Sequence, residues 1–279
     1  MKLIVPILLS LNFFFSVGIH SAKLPLNATS LSVSGFGVAS NFNTWINPAS
    51  LANNQKTHFN FSSNSWLQDV EGSYINYTFD RSKISVHTWA VDQLEQYGES
   101  PSDAPLGFFG SRIIFANYSK GFSKSGHSMG FNLSYIYMTL LELDDKGFAL
   151  DFGYQKKITE LLTLGFSGKN LFCDFKSGDS LPKLITLGIK KDFNSLPISI
   201  FLDIYDDQDK GLGSFKGLKY KNKFFELIGG LKYLDDFDKI DMSFGFNIVR
   251  ENIKFSIATL VKNDDSIGNP VFYQVEYSF

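Results

Sequence analysis

Cysteine is almost missing from this sequence: Cys173 stands alone among 279 residues. A single thiol excludes an intrachain disulfide and any CxxC metal site. Histidine is nearly as scarce. His58, His87 and His127 lie far apart in the chain, without the close spacing of metal ligands. Neither sign of charge is in excess, and the formal net charge of -2 gives no reason to expect a nucleic-acid partner. Past the N-terminus no apolar run reaches the roughly 20 residues of a helical membrane span, so a helical membrane protein is excluded. Nothing in the residue pattern asks for a cofactor. Gly35-Phe36-Gly37 resembles a dinucleotide loop only weakly, because no strand and helix flank it.

Aromatic residues are plentiful instead, with 29 Phe and 12 Tyr. That load suits the outward faces and interfacial girdles of a transmembrane β-barrel. Both ends of the chain agree. Met1-Lys2, the apolar run Leu3 to Val17 and the small residues Ser21 and Ala22 have the plan of a secretory signal peptide, so residues 1–22 are set aside from the fold. At the other end, Pro270 to Phe279 alternates with period two: Val271, Tyr273, Val275, Tyr277 and Phe279 against Gln274, Glu276 and Ser278. A final strand ending on Phe resembles the assembly signal of bacterial outer-membrane barrels. It implies a location in that membrane, with its lipid and the barrel assembly machinery as partners. Tyr273, Val275, Tyr277 and Phe279 are then the barrel-closing face.

Alternation recurs from Thr57 onward, most cleanly at Met129–Tyr137, Phe148–Tyr154, Leu162–Phe166, Ile198–Ile204, Met242–Ile248 and Ile253–Ile257. The segments are about ten residues long, the 9–11 a tilted spanning strand needs, where the strands of a soluble sandwich average nearer six. The opposite faces are small or polar and unsuited to a dry sandwich core. The expected fold is all-β: an antiparallel transmembrane barrel of about 14 strands over 57–279, an even number as bacterial barrels require.

Sorting the links by parity gives a second signal. Long links are expected at 92–107, 170–182, 206–213 and 262–270, and tight turns near Asp80-Arg81, Gly121, Ile158, Asn194, Asn222 and Glu251. Long loops outside and short turns inside would place both termini in the periplasm. Charge sorts the same way. Acidic pairs Asp144-Asp145, Asp206-Asp207, Asp235-Asp236 and Asp264-Asp265 fall on the outer side, and Arg81, Lys83, Lys120, Lys124, Lys156-Lys157, Lys190-Lys191, Lys221, Lys223 and Arg250 on the other. A basic rim can meet anionic lipid. An acidic rim can hold divalent cations, although Asp also simply suits turns.

The stretch Thr29 to Ala52 differs from the rest: small residues, then Trp45-Ile46, then Asn47-Pro48-Ala49. Here the chain resembles the FadL superfamily of barrels, especially its PorV/PorQ branch tied to type IX secretion. Ser50 stands where that motif usually has Gly. The resemblance extends through Leu162–Leu171, Leu181–Gly188 and Gly217–Leu231, with Lys219 in place of a Glu and Ile228 in place of an Arg. It implies that residues 23–56 form a hatch that enters or plugs the lumen, with Asn47, Pro48 and Ala49 as its motif. The alternative for this segment is a periplasmic tail ending in a proline turn.

Enzymatic readings fail for want of a constellation. His87 shares a face with Ser85 but also with Lys83 and Trp89, and reads as a polar lumen residue. The expectation is therefore not an enzyme. Two functions follow from the resemblance. The first is a PorV/PorQ-like interaction barrel that handles or anchors secreted or surface proteins. The alternative is a FadL-like passive channel for hydrophobic small molecules, which needs an apolar pocket and a gap in the wall. Gly229-Gly230 is the candidate gap. No continuous apolar lumen patch is legible, which ranks the interaction barrel first.

Overall fold

The computed structural model describes residues 23–35, 37–66, 70–97, 104–140, 143–234, 239–262 and 268–279. The signal-peptide segment, Asp235-Asp236 and Asp264-Asp265 lie outside these residues, as does Phe36. Fourteen antiparallel strands form a closed ring in which each strand pairs with its sequence neighbours and β1 pairs with β14. They are β1 (His58–Ser65), β2 (Val70–Phe79), β3 (Ser82–Gln96), β4 (Gly107–Lys124), β5 (His127–Leu140), β6 (Leu143–Thr159), β7 (Leu162–Phe175), β8 (Leu184–Asp192), β9 (Ile198–Asp207), β10 (Gly211–Lys221), β11 (Phe225–Leu234), β12 (Lys239–Arg250), β13 (Ile253–Val261) and β14 (Val271–Ser278). No described helix is long and apolar enough to cross a membrane.

Closure removes every strand edge, and the closing ladder runs from His58↔Ser278 to Ser65↔Val271. The Phe279 N–H adds a bond of 2.9 Å to Thr57 O. Period-two alternation gives the ring its two faces. Tyr273, Val275 and Tyr277 point outward, as do Ile75, Tyr77, Phe244, Phe246, Phe255 and Ile257. Asn60, Ser62, Asn76, Ser85, Ser134, Asn247 and Gln274 point inward and are buried.

Several expected boundaries move. The turn placed near Gly121 lies at Ser125-Gly126, because the β4–β5 ladder continues to Lys124↔His127. The turn placed near Ile158 lies at Glu160-Leu161. There a hydrogen bond from Lys157 holds the Glu160 carboxyl below the usual carboxylate range. Three links expected to be long shrink to 97–106, 176–183 and 208–210, because pairing persists where the apolar alternation has faded. The wall is tall over β3 to β7, at 14 to 18 residues per strand, and lower elsewhere.

Residues 23–35 and 37–52 lie inside the ring. A short helix at Ala28–Leu31, capped by Asn27, and a 3-10 helix at Pro48–Asn53, capped by Asn47, are almost wholly buried. Lys23 donates to Asp207 Oδ1 (2.6 Å) and Asp209 Oδ2 (2.8 Å) at the end of the barrel carrying the longer connections. The first described residue is therefore at the opposite end from Phe279. From there the chain descends through the lumen and leaves into β1.

Inward glycines make room for this descent. Gly121↔Gly130 and Gly130↔Gly153 face each other on neighbouring strands, as do Gly165 and Gly188. A Cβ at Gly121, Gly130 or Gly153 would overlap Ala52, Pro48 or Asn47, and one at Gly165 or Gly188 would overlap Val38. The polypeptide backbone of the hatch thus rests directly on that of the wall.

Candidate functional site

The lumen has two layers. Its polar side chains grip the hatch backbone at several heights and from many sides of the ring, and they dominate the half toward the short turns. Asn47 is the centre of this grip. Its Nδ2 donates to Val38 O (2.7 Å), Tyr154 O (3.2 Å) and Phe166 O (3.2 Å), while its Oδ1 accepts from Ala49 N (3.0 Å). Pro48 follows at the start of the 3-10 helix, where no N–H is missed. The Ala49 backbone N lies over Gly130 and Gly153, where a side chain on either glycine would crowd it. Gln155 Nε2 donates to Val38 O and Ser40 O, Ser243 Oγ to Ser32 O, and Asn64 Nδ2 to Leu26 O. Asp203 Oδ2 accepts from the N–H groups of Gly37 (2.6 Å) and Val38 (3.0 Å). Buried backbone groups of an irregular segment need partners, and these side chains supply them.

The upper half is apolar. Trp89, Val91, Ile113, Phe115, Ile136, Phe175, Leu181, Ala258, Leu260 and Phe272 pack with Ala28 and Leu31 of the hatch. A second apolar cluster, reaching below the height of Asp203, joins Val33 to Phe201, Tyr205, Phe215 and Ile228. This corrects the expectation of an inner face without apolar patches. In β9 both faces are apolar, Leu202 and Ile204 outward and Phe201 and Tyr205 inward, so alternation alone could not reveal the inner set.

Between the layers lies a small cavity of about 30 Å³, bordered by Trp45, Lys83, His87, Phe115, Asn117, Asn132, Asp151, Lys169, Asn170 and Leu181, among others. His87 stacks on Phe115 with ring centroids 4.2 Å apart, and its Nδ1 lies 3.4 Å from Asn117 Nδ2. Among the described residues no hydroxyl or thiol hydrogen-bonds its ring. His127 pairs with the Tyr154 hydroxyl at 2.7 Å.

Beside this cavity the wall is irregular. Leu150↔Phe172 and Phe152↔Gly168 leave Asp151 facing Lys169, Asn170 and Leu171, a bulge that Asn170 enters with φ of 54°. Asp151 ties it down, accepting from Asn170 N (2.7 Å) on Oδ1 and from Asn132 Nδ2 (3.0 Å) on Oδ2. The β7–β8 ladder ends at Lys169↔Leu184. Above that point the upper part of β7 faces Ser180, Leu181 and Lys183 of the connecting loop. A groove of about 570 Å³ opens there on the outer surface, bordered by Leu133, Phe148, Phe172, Cys173 and, again, Asn170 and Leu181.

Gly229-Gly230 forms no gap. Both residues are paired without interruption to β10 and β12, and Gly230 provides the space that the Phe215 ring fills. The acidic residues stay at the upper rim. Asp144 and Asp145 open β6, Asp145 accepting from Ser177 Oγ (2.6 Å), and Asp206 and Asp207 close β9. Among the described residues no group of three or more acidic, His or Cys side chains is arranged for a metal ion. Lys83, Asp151, Asn170 and Leu181 were not legible as a site, because a bulge and a loop bring them together across the ring.

No protein-family model matches the chain, and no curated protein matches it. Solved structures do. The Ralstonia pickettii toluene transporter TbuX aligns with a TM-score of 0.65 at 14% identity, over 92% of this chain and 98% of that one. The Pseudomonas putida toluene transporter TodX aligns at 0.57 and 14%, over 95% and 98%. The CymD monoaromatic hydrocarbon channel aligns at 0.60 and 13%, over 92% and 97%. The chain shares its fold with these three channels and transporters. At such identities the likeness establishes architecture: a closed 14-strand barrel of the outer-membrane kind.

Proposed function

We propose that this barrel sits in the bacterial outer membrane and passes small hydrophobic molecules from its upper mouth through the wall at the β7–β8 seam. One observation carries the reading. The lumen cavity and the outer-surface groove share Asn170 and Leu181, at the place where β7 bulges and its ladder with β8 has ended. The apolar upper lumen gives such a molecule a surface on which to desolvate. A sideways exit suits an apolar cargo, since the groove borders Leu133, Phe148 and Phe172 on the face that would meet lipid. The shared fold with two toluene transporters favours the same class of cargo.

The native Cys173 supplies the test, because its sulfur accepts from Leu181 N at 3.2 Å. Leu181→Cys should bridge to it on oxidation and pin the loop against β7. Uptake of labelled toluene by proteoliposomes should fall on oxidation and recover on reduction, with wild type indifferent to both. Uptake no faster than in empty vesicles rejects the channel.

A second reading is an interaction barrel for secreted or surface proteins, resembling PorV/PorQ. The filled lumen, with only about 30 Å³ left between hatch and wall, favours it. Secreted-protein partners captured from outer membranes, with no uptake defect in a deletion strain, would select it over the channel.

A further inference from the structure

We propose that the mid-lumen cavity is a binding site for a small anion of halide or formate size, held by Lys169 and Lys83 against the hatch. The inference does not depend on what the barrel transports. Lys169 is 6% exposed and Lys83 4% exposed, both project into the ring, and both border the cavity. Lys83 Nζ donates to Thr44 Oγ1 at 2.7 Å. Lys169 Nζ lies 3.3 Å from the centroid of the Trp45 ring. Among the described residues it has no hydrogen-bond acceptor and no carboxylate within ion-pair distance, the Asp151 charge acting on it only from farther off. An ammonium carries three donors, and burying it without an acceptor is costly.

The lining holds a single carboxylate, Asp151, and both of its oxygens are already engaged by Asn170 N and Asn132 Nδ2. Two buried lysines therefore share the charge of one carboxylate, and a second small anion would balance the set. The rest of the border can donate as well: Ser85, Ser134 and the amide of Asn117. Its volume, about 30 Å³, suits an ion or a water or two. An anion here would touch the hatch through Thr44 and Trp45 and the wall through β3 and β7. It would fix one to the other.

The probe is bromide, with formate as competitor, on the full folded barrel in detergent. Crystals soaked in millimolar sodium bromide should give an anomalous peak in contact with Lys169 Nζ, and formate should displace it. In solution, bromide should quench tryptophan emission saturably, because Trp45 lies against the site. Lys169→Met should weaken that saturation about tenfold or more while the protein keeps its heat-modifiable migration on gels. A wild-type map without the peak overturns the site even if the variant misfolds. Quenching that is linear in bromide, or equal in Lys169→Met, overturns it in solution.

Discussion

Gly153 and Gly229 are the same residue type in the same kind of strand, yet their surroundings differ entirely. A Cβ on Gly153 would overlap the Asn47 side chain and the Pro48 ring, with the hatch backbone behind them and no space to retreat. A Cβ on Gly229 would meet nothing nearer than 3.6 Å. Gly153→Val should therefore cost several kcal/mol, at or above the 1–3 kcal/mol usual for overpacking, and lower the midpoint of urea unfolding in vesicles. Gly229→Ala should stay within about 0.5 kcal/mol in the same assay. Equal costs at the two positions would contradict a hatch docked on the glycines. From the sequence the two were indistinguishable. Gly229-Gly230 drew attention because glycines were adjacent, whereas Gly121, Gly130 and Gly153 are adjacent only across strands.

Among elements, the hatch is the one whose position rests on polar contacts rather than on a ladder. Asn47 alone satisfies three carbonyls and caps the 3-10 helix. Asn47→Ala should cost about 2 kcal/mol, since it removes both the helix cap and the side-chain tie between hatch and wall. The loss should appear as faster amide exchange over residues 37–50 with the barrel strands still protected. Uniform destabilisation of hatch and strands together would refute a separately held hatch. The strands themselves were largely legible, because apolar residues at every second position survive as a pattern wherever the inner face is polar, as in β12. Legibility failed at the ends of β3, β4 and β7, where ladder bonds continue past the apolar alternation. It failed also in β9, where both faces are apolar.

Over the whole molecule, the ring stands or falls with its last seam. Phe279 donates its N–H to Thr57 O, and its ring packs edge-on against Tyr77 and Tyr277 at 6.4 and 5.1 Å. Deleting Phe279 should lower the yield of heat-modifiable barrel in the outer membrane several-fold, measured by fractionation. Normal yield would count against a closing role for this residue. The sequence by itself determined the barrel. Two-residue periodicity, even strand number and an aromatic final strand are local properties, and closure follows once every edge must be paired. What fills the barrel was decided only by the tertiary structure. The hatch contacts, the apolar upper lumen, the Asp151–Asn170 bulge and the Lys83–Lys169 pair join residues from different staves, and a periodic sequence carries no record of which staves face one another across a lumen.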